Sequence, residues 1–311
     1  MREKLKQLCD TYGAAFSENV PLSEHTTFRI GGTADYWVEI NCASVLSALV
    51  RLCREREFPY YVLGRGSNVL ASDAGFRGVI LHLGNDFADI RLTDSQTIVC
   101  DAGATLVKAA KTAEEFSLSG MEGLSGIPGT VGGALFMNAG AYGYEMSQIV
   151  SSCTYMDASG EIRQRRACDL ALSYRHSWFT EHPECVILTV TMKLEHGEKE
   201  EITAKMRDFL KRRNDKQPLE FPSAGSTFKR PEGNYASALI DQCGLKGWTV
   251  GAAQVSEKHA GFVVNRGGAT CADVMQLCAD VQRIVKEKTG YVLEMEPIVL
   301  GDQTGDEASC N

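Results

Sequence analysis

Two glycine-rich segments have the composition and spacing most typical of a ligand-binding site. The first, Gly64-Arg65-Gly66-Ser67-Asn68, follows a predicted strand at 60–63. Its glycines would leave successive backbone N–H groups open to an anion such as a pyrophosphate. The G-x-G-x-x-G pattern of dinucleotide-binding folds fails at Val69, so a plain β-turn remains an alternative for this loop taken alone.

The second segment, Gly123-Leu-Ser-Gly126-Ile127-Pro128-Gly129-Thr130-Val-Gly132-Gly133, is denser in glycine and continues to Asn138-Ala-Gly140. Such a run lets the backbone approach a bulky planar or phosphorylated ligand where side chains would collide. The alternative is a packed, turn-rich connector. Taken together, the two segments predict a large nucleotide cofactor held mainly by main-chain groups.

The elements that must position these loops indicate an α+β fold. Apolar periodicity predicts helices at 2–12, 44–57 and 106–116, and strands at 36–40, 60–63, 79–83, 90–92, 97–100, 149–156, 161–165 and 186–194. After residue 198 the pattern changes to a charged helix up to 213, a proline-bounded link, a helix at 235–243 and a strand at 262–264. Thr270 and Asp273 resemble a capping box, which predicts a helix from there to Gly290.

These patterns predict a first domain at 1–197, with two α+β subdomains and a core at about 29–195, and a second domain at 198–301. The stretch 291–301 is a candidate to pack back on the first domain. Residues 302–311 are polar and aperiodic, which predicts a flexible tail.

Composition excludes several classes of protein. The 311 residues are 44% hydrophobic and 23% charged, close to the globular averages of about 45–50% and 25%. The 32 basic and 40 acidic residues give a net charge of −8, which argues against binding to nucleic acid or to an anionic membrane. The 11 cysteines are scattered, without a C-x-x-C pair, so we expect reduced thiols, no metal site and a cytoplasmic location.

Neither a targeting segment nor a membrane span is expected. The N-terminal residues carry charges at every turn and lack an apolar region. Residues 123–144 are uncharged, but they contain many glycines and a proline, whose backbone groups lipid would leave unsatisfied. We therefore expect this stretch to be a functional loop.

Seven blocks in order along the chain resemble the UDP-N-acetylenolpyruvoylglucosamine reductase (UDP-N-acetylmuramate dehydrogenase) family. Beyond the two glycine-rich segments and Asn138-Ala-Gly-Ala-Tyr-Gly143, they are Thr27-Phe-Arg-Ile-Gly-Gly32, Tyr174-Arg175, Gly225-Ser-Thr-Phe-Lys229 and Leu293-Glu-Met-Glu296. The region 230–265, with Ser256-Glu-Lys-His259, is similar to the shorter of the family's two types. The resemblance implies an FAD-binding domain of the vanillyl-alcohol-oxidase (p-cresol methylhydroxylase) type, followed by an α+β substrate-binding domain.

The resemblance also implies the reaction: NADPH reduces FAD, which then reduces the enolpyruvyl ether of a UDP-sugar during bacterial peptidoglycan precursor synthesis. The implied catalytic residues are Ser226 as proton donor, Arg175 as a partner of the substrate carboxylate, and Glu296, either protonated by burial or orienting Arg175 or a water. Met295-Glu296-Pro297 departs from the family by placing the proline after the glutamate. The implied cofactor-binding residues are Gly64 to Asn68, Gly126 to Thr130, Gly132, Gly133, Asn138 and Gly140.

The substrate-binding residues follow less directly from the resemblance. Most of the cations between Lys205 and Lys216 are expected on a solvated helix face, but Lys216 in Lys-Gln-Pro resembles a family substrate-binding lysine. Tyr174, Lys229 and His259 are further candidates, and Arg230 stands where some relatives carry asparagine.

Two other functions stay open at this point. One is a flavin oxidase of the same cofactor fold acting on a small alcohol. The other is a non-catalytic UDP-sugar-binding module, which would bind the sugar nucleotide without oxidising NADPH.

Overall fold

Helices and strands are mixed along residues 1–301, the part of the chain described in this computed structural model. The tail predicted at 302–311 lies outside the described residues. Eight α-helices, α1 to α8, are formed by Arg2–Tyr12, Ala43–Glu55, Leu106–Glu115, Val131–Phe136, Trp178–Glu181, Lys199–Lys216, Ala236–Gln242 and Cys271–Thr289. Eighteen strands or strand fragments within the same range, β1 to β18, are formed by Phe16–Pro21, Thr33–Glu39, Tyr60–Leu63, Val69–Ala71, Phe76–His82, Ile90–Leu92, Thr97–Asp101, Leu118–Ser119, Gly140–Ala141, Tyr144–Glu145, Val150–Met156, Ile162–Arg166, Val186–Lys193, Glu195–His196, Thr249–Val250, Ala253–Val255, Val263–Asn265 and Ile298–Leu300. The predicted α+β class is confirmed.

The described residues divide into two compact units. The first unit consists of Met1–Ser17, Tyr36–Arg65 and Val79–Asp215. The second consists of Glu18–Asp35, Gly66–Gly78 and the described residues from Lys216 onward. The domain limits 1–197 and 198–301 stay a prediction.

The first unit is organised around a five-stranded antiparallel sheet in the order β12-β11-β13-β7-β6. In the same unit β3 pairs in parallel with β5, Leu63 lying opposite His82. Helix α2 buries the apolar stripe that predicted it, including Val45, Leu46 and Leu49. The Thr105 hydroxyl caps α3 by accepting the Lys108 N–H at 3.1 Å, and α3 begins at Leu106, where the sequence predicted its start.

The second unit has its own hydrophobic core, built mainly around α7, α8 and the antiparallel strands β15-β16-β17. The predicted capping box of α8 is confirmed: Thr270 Oγ1 accepts the Asp273 N–H at 3.0 Å, and Asp273 Oδ2 accepts the Thr270 N–H at 3.0 Å. Gly290, at φ 79°, ends the helix in the left-handed conformation. Strand β18 pairs in parallel with β4, Ile298 lying opposite Val69.

The helices of the described residues were compared with the length and composition of a membrane-spanning helix. Within residues 1–301, no helix combines the length and the apolar composition needed to cross a bilayer.

Candidate active site

The glycines of the first predicted cofactor loop are required by close packing. A Cβ on Gly64 would lie 2.6 Å from Thr130 Oγ1 within the first unit. In the second unit, Gly66 has φ +58°, and a Cβ there would lie 2.4 Å from the His25 carbonyl oxygen. Residues larger than glycine at these positions would therefore displace the loop.

The same loop leaves backbone donors unused. Among residues 1–301, the N–H groups of Gly66, Ser67 and Asn68 have no hydrogen-bond acceptor. Successive N–H groups without an acceptor form an anion-binding arrangement, and a flavin dinucleotide carries a pyrophosphate. These donors fit FAD. Arg65 is exposed.

The second glycine segment is more regular than predicted. The expectation of a loop throughout is wrong for Val131–Phe136, which form α4. Thr130 starts this helix by accepting the Gly133 N–H at 3.2 Å. Gly132 donates its N–H to the Ala102 carbonyl at 2.8 Å, and a Cβ on Gly132 would lie 2.7 Å from that of Ala102. Glycine thus allows the helix to pack closely against the neighbouring backbone. A glycine-rich composition is equally typical of a flexible loop, so composition alone could not predict this packing.

The turn before α4 holds the other predicted cofactor residues. Ile127 donates its N–H to the Leu124 carbonyl, Pro128 is exposed, and the Gly129 carbonyl accepts the Leu106 N–H at 3.1 Å. The turn is thereby attached to the start of α3.

Arg213, one of the cations on α6, also lies in this region, and its position in the sequence indicates no separate role. Its Cδ lies 3.2 Å from the position of a Cβ on Gly126. Burial lowers the pKa of its guanidinium, which has no hydrogen-bond or ion-pair partner among residues 1–301. A partly buried, unpaired guanidinium suits an anionic group. The sequence did not indicate this role, because Arg213 is one of several cations on a charged helix.

Asn138 is hydrogen-bonded to the turn that carries Arg175, whereas Gly140 packs against Tyr144. Asn138 is buried; its Nδ2 donates to the Ser173 carbonyl at 2.9 Å and its Oδ1 accepts the Ser147 N–H at 2.8 Å. A Cβ on Gly140 would lie 2.6 Å from the Tyr144 carbonyl oxygen. Both residues are therefore used in the backbone framework; their predicted contact with the cofactor stays a prediction.

Tyr174 and Arg175 form a two-residue turn. Ser173 and His176 exchange backbone hydrogen bonds at 3.1 Å, and Arg175 has φ +56°. The Arg175 guanidinium carbon lies 5.0 Å from the Tyr174 ring centroid, and Tyr174 is 48% exposed. The turn presents both side chains at the surface of the first unit.

In the second unit, Ser226 lies on a segment that is hydrogen-bonded on both sides. Gly225, at φ +80°, leads into it. Thr227 donates its N–H to the Gly261 carbonyl at 2.8 Å, and its buried hydroxyl accepts the Val263 N–H at 2.8 Å. On the other side, the Thr227 carbonyl accepts the Glu296 N–H at 2.9 Å. Ser226 itself is exposed.

This arrangement joins three of the motifs. Phe228 forms a β-bridge with Met295, so Ser226 and Glu296 lie on adjacent antiparallel segments. Asn68 Nδ2 donates to the Glu296 carbonyl at 3.3 Å, and the Asn68 carbonyl accepts the Ile298 N–H at 2.9 Å. The end of the first cofactor loop, the predicted proton donor and the predicted glutamate are therefore brought together.

The predicted substrate-binding residues of the second unit differ in their present partners. Lys229 forms an ion pair with Glu294 at 3.3 Å. Lys216 is exposed and has no carboxylate partner among the described residues. The next residue, Gln217, has a buried Oε1 that accepts no hydrogen bond from residues 1–301, and a hydroxyl or N–H of a ligand would satisfy it. No cluster of potential metal ligands is found within 1–301.

Comparison with known proteins agrees with this distribution of motifs. A family model described as an FAD binding domain matches residues 34–165, and one described as the C-terminal domain of UDP-N-acetylenolpyruvoylglucosamine reductase matches residues 217–300. The predicted FAD-binding domain is confirmed.

Whole-length relatives carry the same name. The UDP-N-acetylenolpyruvoylglucosamine reductase of Agathobacter rectalis is 44% identical over 92% of this chain and 94% of its own length. That of Lachnoclostridium phytofermentans is 42% identical over 97% of both chains. A crystal structure of the reductase from Thermus caldophilus has a TM-score of 0.78 and 34% identity, covering 92% of this chain and 98% of that one. The chain belongs to the UDP-N-acetylenolpyruvoylglucosamine reductase family.

Proposed function

We propose that this protein reduces UDP-N-acetylenolpyruvoylglucosamine to UDP-N-acetylmuramate, with FAD as its cofactor and NADPH as the reductant, in the cytoplasm of a bacterium. The observation that carries the proposal is the arrangement in the second unit, where Asn68 of the first cofactor loop is hydrogen-bonded to Glu296 and Glu296 to the neighbour of Ser226. A main-chain anion cradle and a candidate proton donor are thus parts of one hydrogen-bonded structure.

The cofactor and the protein supply different parts of the reaction. The open backbone N–H groups of Gly66 to Asn68 would hold the pyrophosphate of FAD, and the reduced cofactor would supply the hydride needed at the alkene carbon distal to the substrate carboxylate. The electron pair of the double bond then moves toward the carboxylate as an enolate, which needs a proton on the carbon beside it.

Ser226 is the proposed donor of that proton. Its side chain is exposed, while the backbone of Thr227 is held from both sides, so the hydroxyl is presented from a fixed position. An enolate is basic enough to take a proton from a neutral hydroxyl at hydrogen-bond distance when water is excluded. Solvent then returns a proton to the serine oxygen.

Arg175 and Glu296 are assigned to charge and orientation. The forked guanidinium of Arg175 suits a carboxylate on which enolate charge accumulates. Glu296 is next to Pro297 and one residue from the bridge to Phe228, so its backbone is fixed. We propose that it orients a donor or a water near Ser226.

Lys216, Lys229, Tyr174 and His259 are proposed to bind the sugar nucleotide. Lys229 must exchange its contact with Glu294 for a substrate oxygen, whereas Lys216 has no ion pair to give up among residues 1–301. Arg213 is proposed to contact an anionic group beside Gly126.

The first experiment tests the whole proposal. Purified protein should be yellow, its flavin absorption should bleach under NADPH, and the enolpyruvyl substrate should restore the colour with formation of UDP-N-acetylmuramate. Recovery of colour with oxygen alone, without use of the substrate, would instead indicate an oxidase. A colourless protein that binds the UDP-sugar would indicate a binding module.

The second experiment tests the proton donor. Ser226→Ala should leave flavin reduction by NADPH unchanged and lower the rate of substrate reduction by roughly 10²- to 10⁴-fold, the range typical of a positioned proton donor. Stopped-flow absorption measures the two half-reactions separately. Normal reoxidation of the flavin by substrate in this variant would contradict the assignment.

A further inference from the structure

Tyr142 lies at the tip of a short β-hairpin in the first unit. Strands β9 and β10 pair with Ala141 opposite Tyr144, so Tyr142 and Gly143 form a two-residue turn. Both have a positive φ, +56° and +86°, the pattern of a type I′ turn, in which Asn-Gly is the favoured sequence. A tyrosine at the first of these positions is strained, so its conformation must be held by contacts outside the turn.

The contact that holds Tyr142 is a parallel ring stack on α6. Its ring and that of Phe209 have an interplanar angle of 2° and centroids 4.8 Å apart. Tyr144 packs edge-on against the same phenylalanine, with centroids 5.9 Å apart. Aromatic pairs of this kind stabilise a structure beyond the burial of their area, so the hairpin is attached to α6 through Phe209.

Phe209 and Arg213 lie on the same face of α6, because they are four residues apart. The Arg213 side chain packs against the second glycine segment, its Cδ being 3.2 Å from the position of a Cβ on Gly126. The hairpin packs against the same segment: a Cβ on Gly123 would lie 2.5 Å from the Ala141 carbonyl oxygen. The hairpin, the glycine segment and this face of α6 therefore form one packed group within the first unit.

Arg213 is the unpaired charge of this group. Its guanidinium has no hydrogen-bond or ion-pair partner among residues 1–301, and burial lowers its pKa. Tyr142 opposes this change in pKa, so the two side chains lie close enough to interact electrostatically. The preceding arginine differs, since Arg212 is exposed and paired with Asp208 at 2.7 Å. The helix thus directs one arginine to solvent and the other toward the glycine segment.

We propose that Phe209 is a positioning residue: by stacking on Tyr142 it holds the Arg213 guanidinium beside Gly126, where the guanidinium binds an anionic oxygen of FAD. The inference deepens the proposed function and rests on it. FAD is the assigned ligand, because Gly126 lies within residues 34–165, which match the FAD binding domain. The cofactor carries such an oxygen on its diphosphate and, when reduced, on its ring.

The FAD affinity of the holoprotein tests the arginine and the stack separately. Flavin fluorescence, which recovers as FAD dissociates on dilution, gives the dissociation constant. We expect Arg213→Ala to raise this constant by about 10- to 100-fold, through loss of a hydrogen bond to a charged oxygen. Phe209→Leu should raise it by about 3- to 10-fold, through loss of the ring stack.

Substitutions of Tyr142 separate the ring from the folding of the turn. Tyr142→Asn gives the sequence that a type I′ turn favours, so the hairpin should stay folded while FAD affinity falls as in Phe209→Leu. Tyr142→Phe keeps the ring and should bind FAD within about twofold of the wild type. Normal FAD affinity in Tyr142→Asn would overturn the role of the stack.

A double variant decides whether Phe209 acts through Arg213. When Phe209→Leu is combined with Arg213→Ala, the dissociation constant should equal that of Arg213→Ala alone within about twofold, because no guanidinium is left to position. If the two effects instead multiplied, Phe209 would act independently of the arginine, and the proposal would be overturned.

The reduction potential of the bound flavin distinguishes the two oxygens. A contact with the diphosphate acts equally on oxidised and reduced FAD, so Arg213→Ala would keep the wild-type potential. A contact with the ring would favour the reduced form, so the potential of the variant would fall. Either result, together with weaker FAD binding, supports the proposal.

Controls distinguish the possible failures. Phe116→Leu makes the same change on an exposed phenylalanine at the end of α3 and should bind FAD normally. Equal FAD affinity of Arg213→Ala and wild type would overturn the inference and leave the proposed reductase intact. Weaker binding of UDP with unchanged binding of FAD would also overturn it, by assigning the anion to the sugar nucleotide. Wild-type protein that neither contains flavin nor takes up added FAD would contradict the proposed function itself.

Discussion

The segments that present Arg175 and Ser226 are held in different ways. Arg175 lies in the first unit, on a two-residue turn closed by the pair of bonds between Ser173 and His176, with a left-handed backbone at φ +56°. Ser226 lies in the second unit, on a segment whose next residue is bonded to Gly261 on one side and to Glu296 on the other. A non-glycine residue in the left-handed region costs roughly 1–2 kcal/mol, whereas bonds on both sides stabilise an extended segment.

The two functional side chains are therefore positioned in different ways, one by a strained turn and the other by a hydrogen-bonded extended segment. The arginine turn is strained, so its conformation is not the one that the local sequence prefers. The serine segment is supported by residues distant in sequence. We therefore expect substitutions at the turn to affect turnover with little loss of stability, and substitutions beneath Ser226 to affect both.

The largest effect is expected from Arg175→Gly. Loss of the guanidinium should lower substrate reduction by roughly 10²- to 10³-fold, as for the removal of one donor to a developing oxyanion. The free energy of unfolding should not fall, because glycine adopts φ +56° without strain. Stopped-flow kinetics and urea unfolding measure the two quantities.

Glu57→Gly is the matched control for that prediction. Glu57 is exposed after α2 and has φ +49°, so glycine relieves the same kind of strain away from the predicted catalytic residues. Its turnover should equal that of the wild type. A stability loss in Arg175→Gly that is absent from Glu57→Gly would show that the arginine holds the turn rather than the substrate.

A smaller effect is expected from Thr227→Val. The Val263 N–H would lose the buried hydroxyl that accepts it at 2.8 Å, which should lower the free energy of unfolding by about 1–3 kcal/mol. Substrate reduction should slow as the backbone next to Ser226 loosens, while NADPH still bleaches the flavin. Thr227→Ser keeps the hydroxyl and should retain both properties. An unchanged rate in a destabilised Thr227→Val protein would mean that Ser226 does not depend on this support.

The smallest effect concerns pH. The Gly261 residue that accepts the Thr227 N–H also donates to His259, so this histidine belongs to the support of the serine segment. Burial lowers the pKa of His259 from 6.5, so below about pH 6.5 the unfolded chain binds more protons than the folded one. The contribution of His259 to stability is therefore present above pH 6.5 and is lost as the pH falls toward the lower, folded-state pKa.

Urea unfolding at a series of pH values tests this sign. The wild type should lose stability between pH 7 and about pH 5 more steeply than His259→Gln, which has no ionisable ring. If the free energy of unfolding changed with pH in the same way for both proteins, His259 would not contribute to the pH dependence of stability in this range.

The sequence predicted the elements whose signals are local. Helices α1, α2, α3 and α8 have apolar periodicity, and α8 also has a capping box, so each was placed within a few residues. Strands β4 and β18 were missed, because each has three residues and pairs with the other across more than two hundred positions of the chain. Helix α4 was missed because glycine disfavours a helix locally, while its packing against Ala102 overrides that preference.

The side chains available for chemistry, the order of the motifs and the family follow from the amino-acid sequence alone, because they depend on residue types and spacing. Only the tertiary structure decides which donors remain unused within residues 1–301: the open N–H groups of Gly66 to Asn68, the unpaired Arg213, and the ring nitrogen of His259 that carries the proton. The physical reason is that a polar group is free or satisfied according to its neighbours in space, and here those neighbours are often distant in sequence.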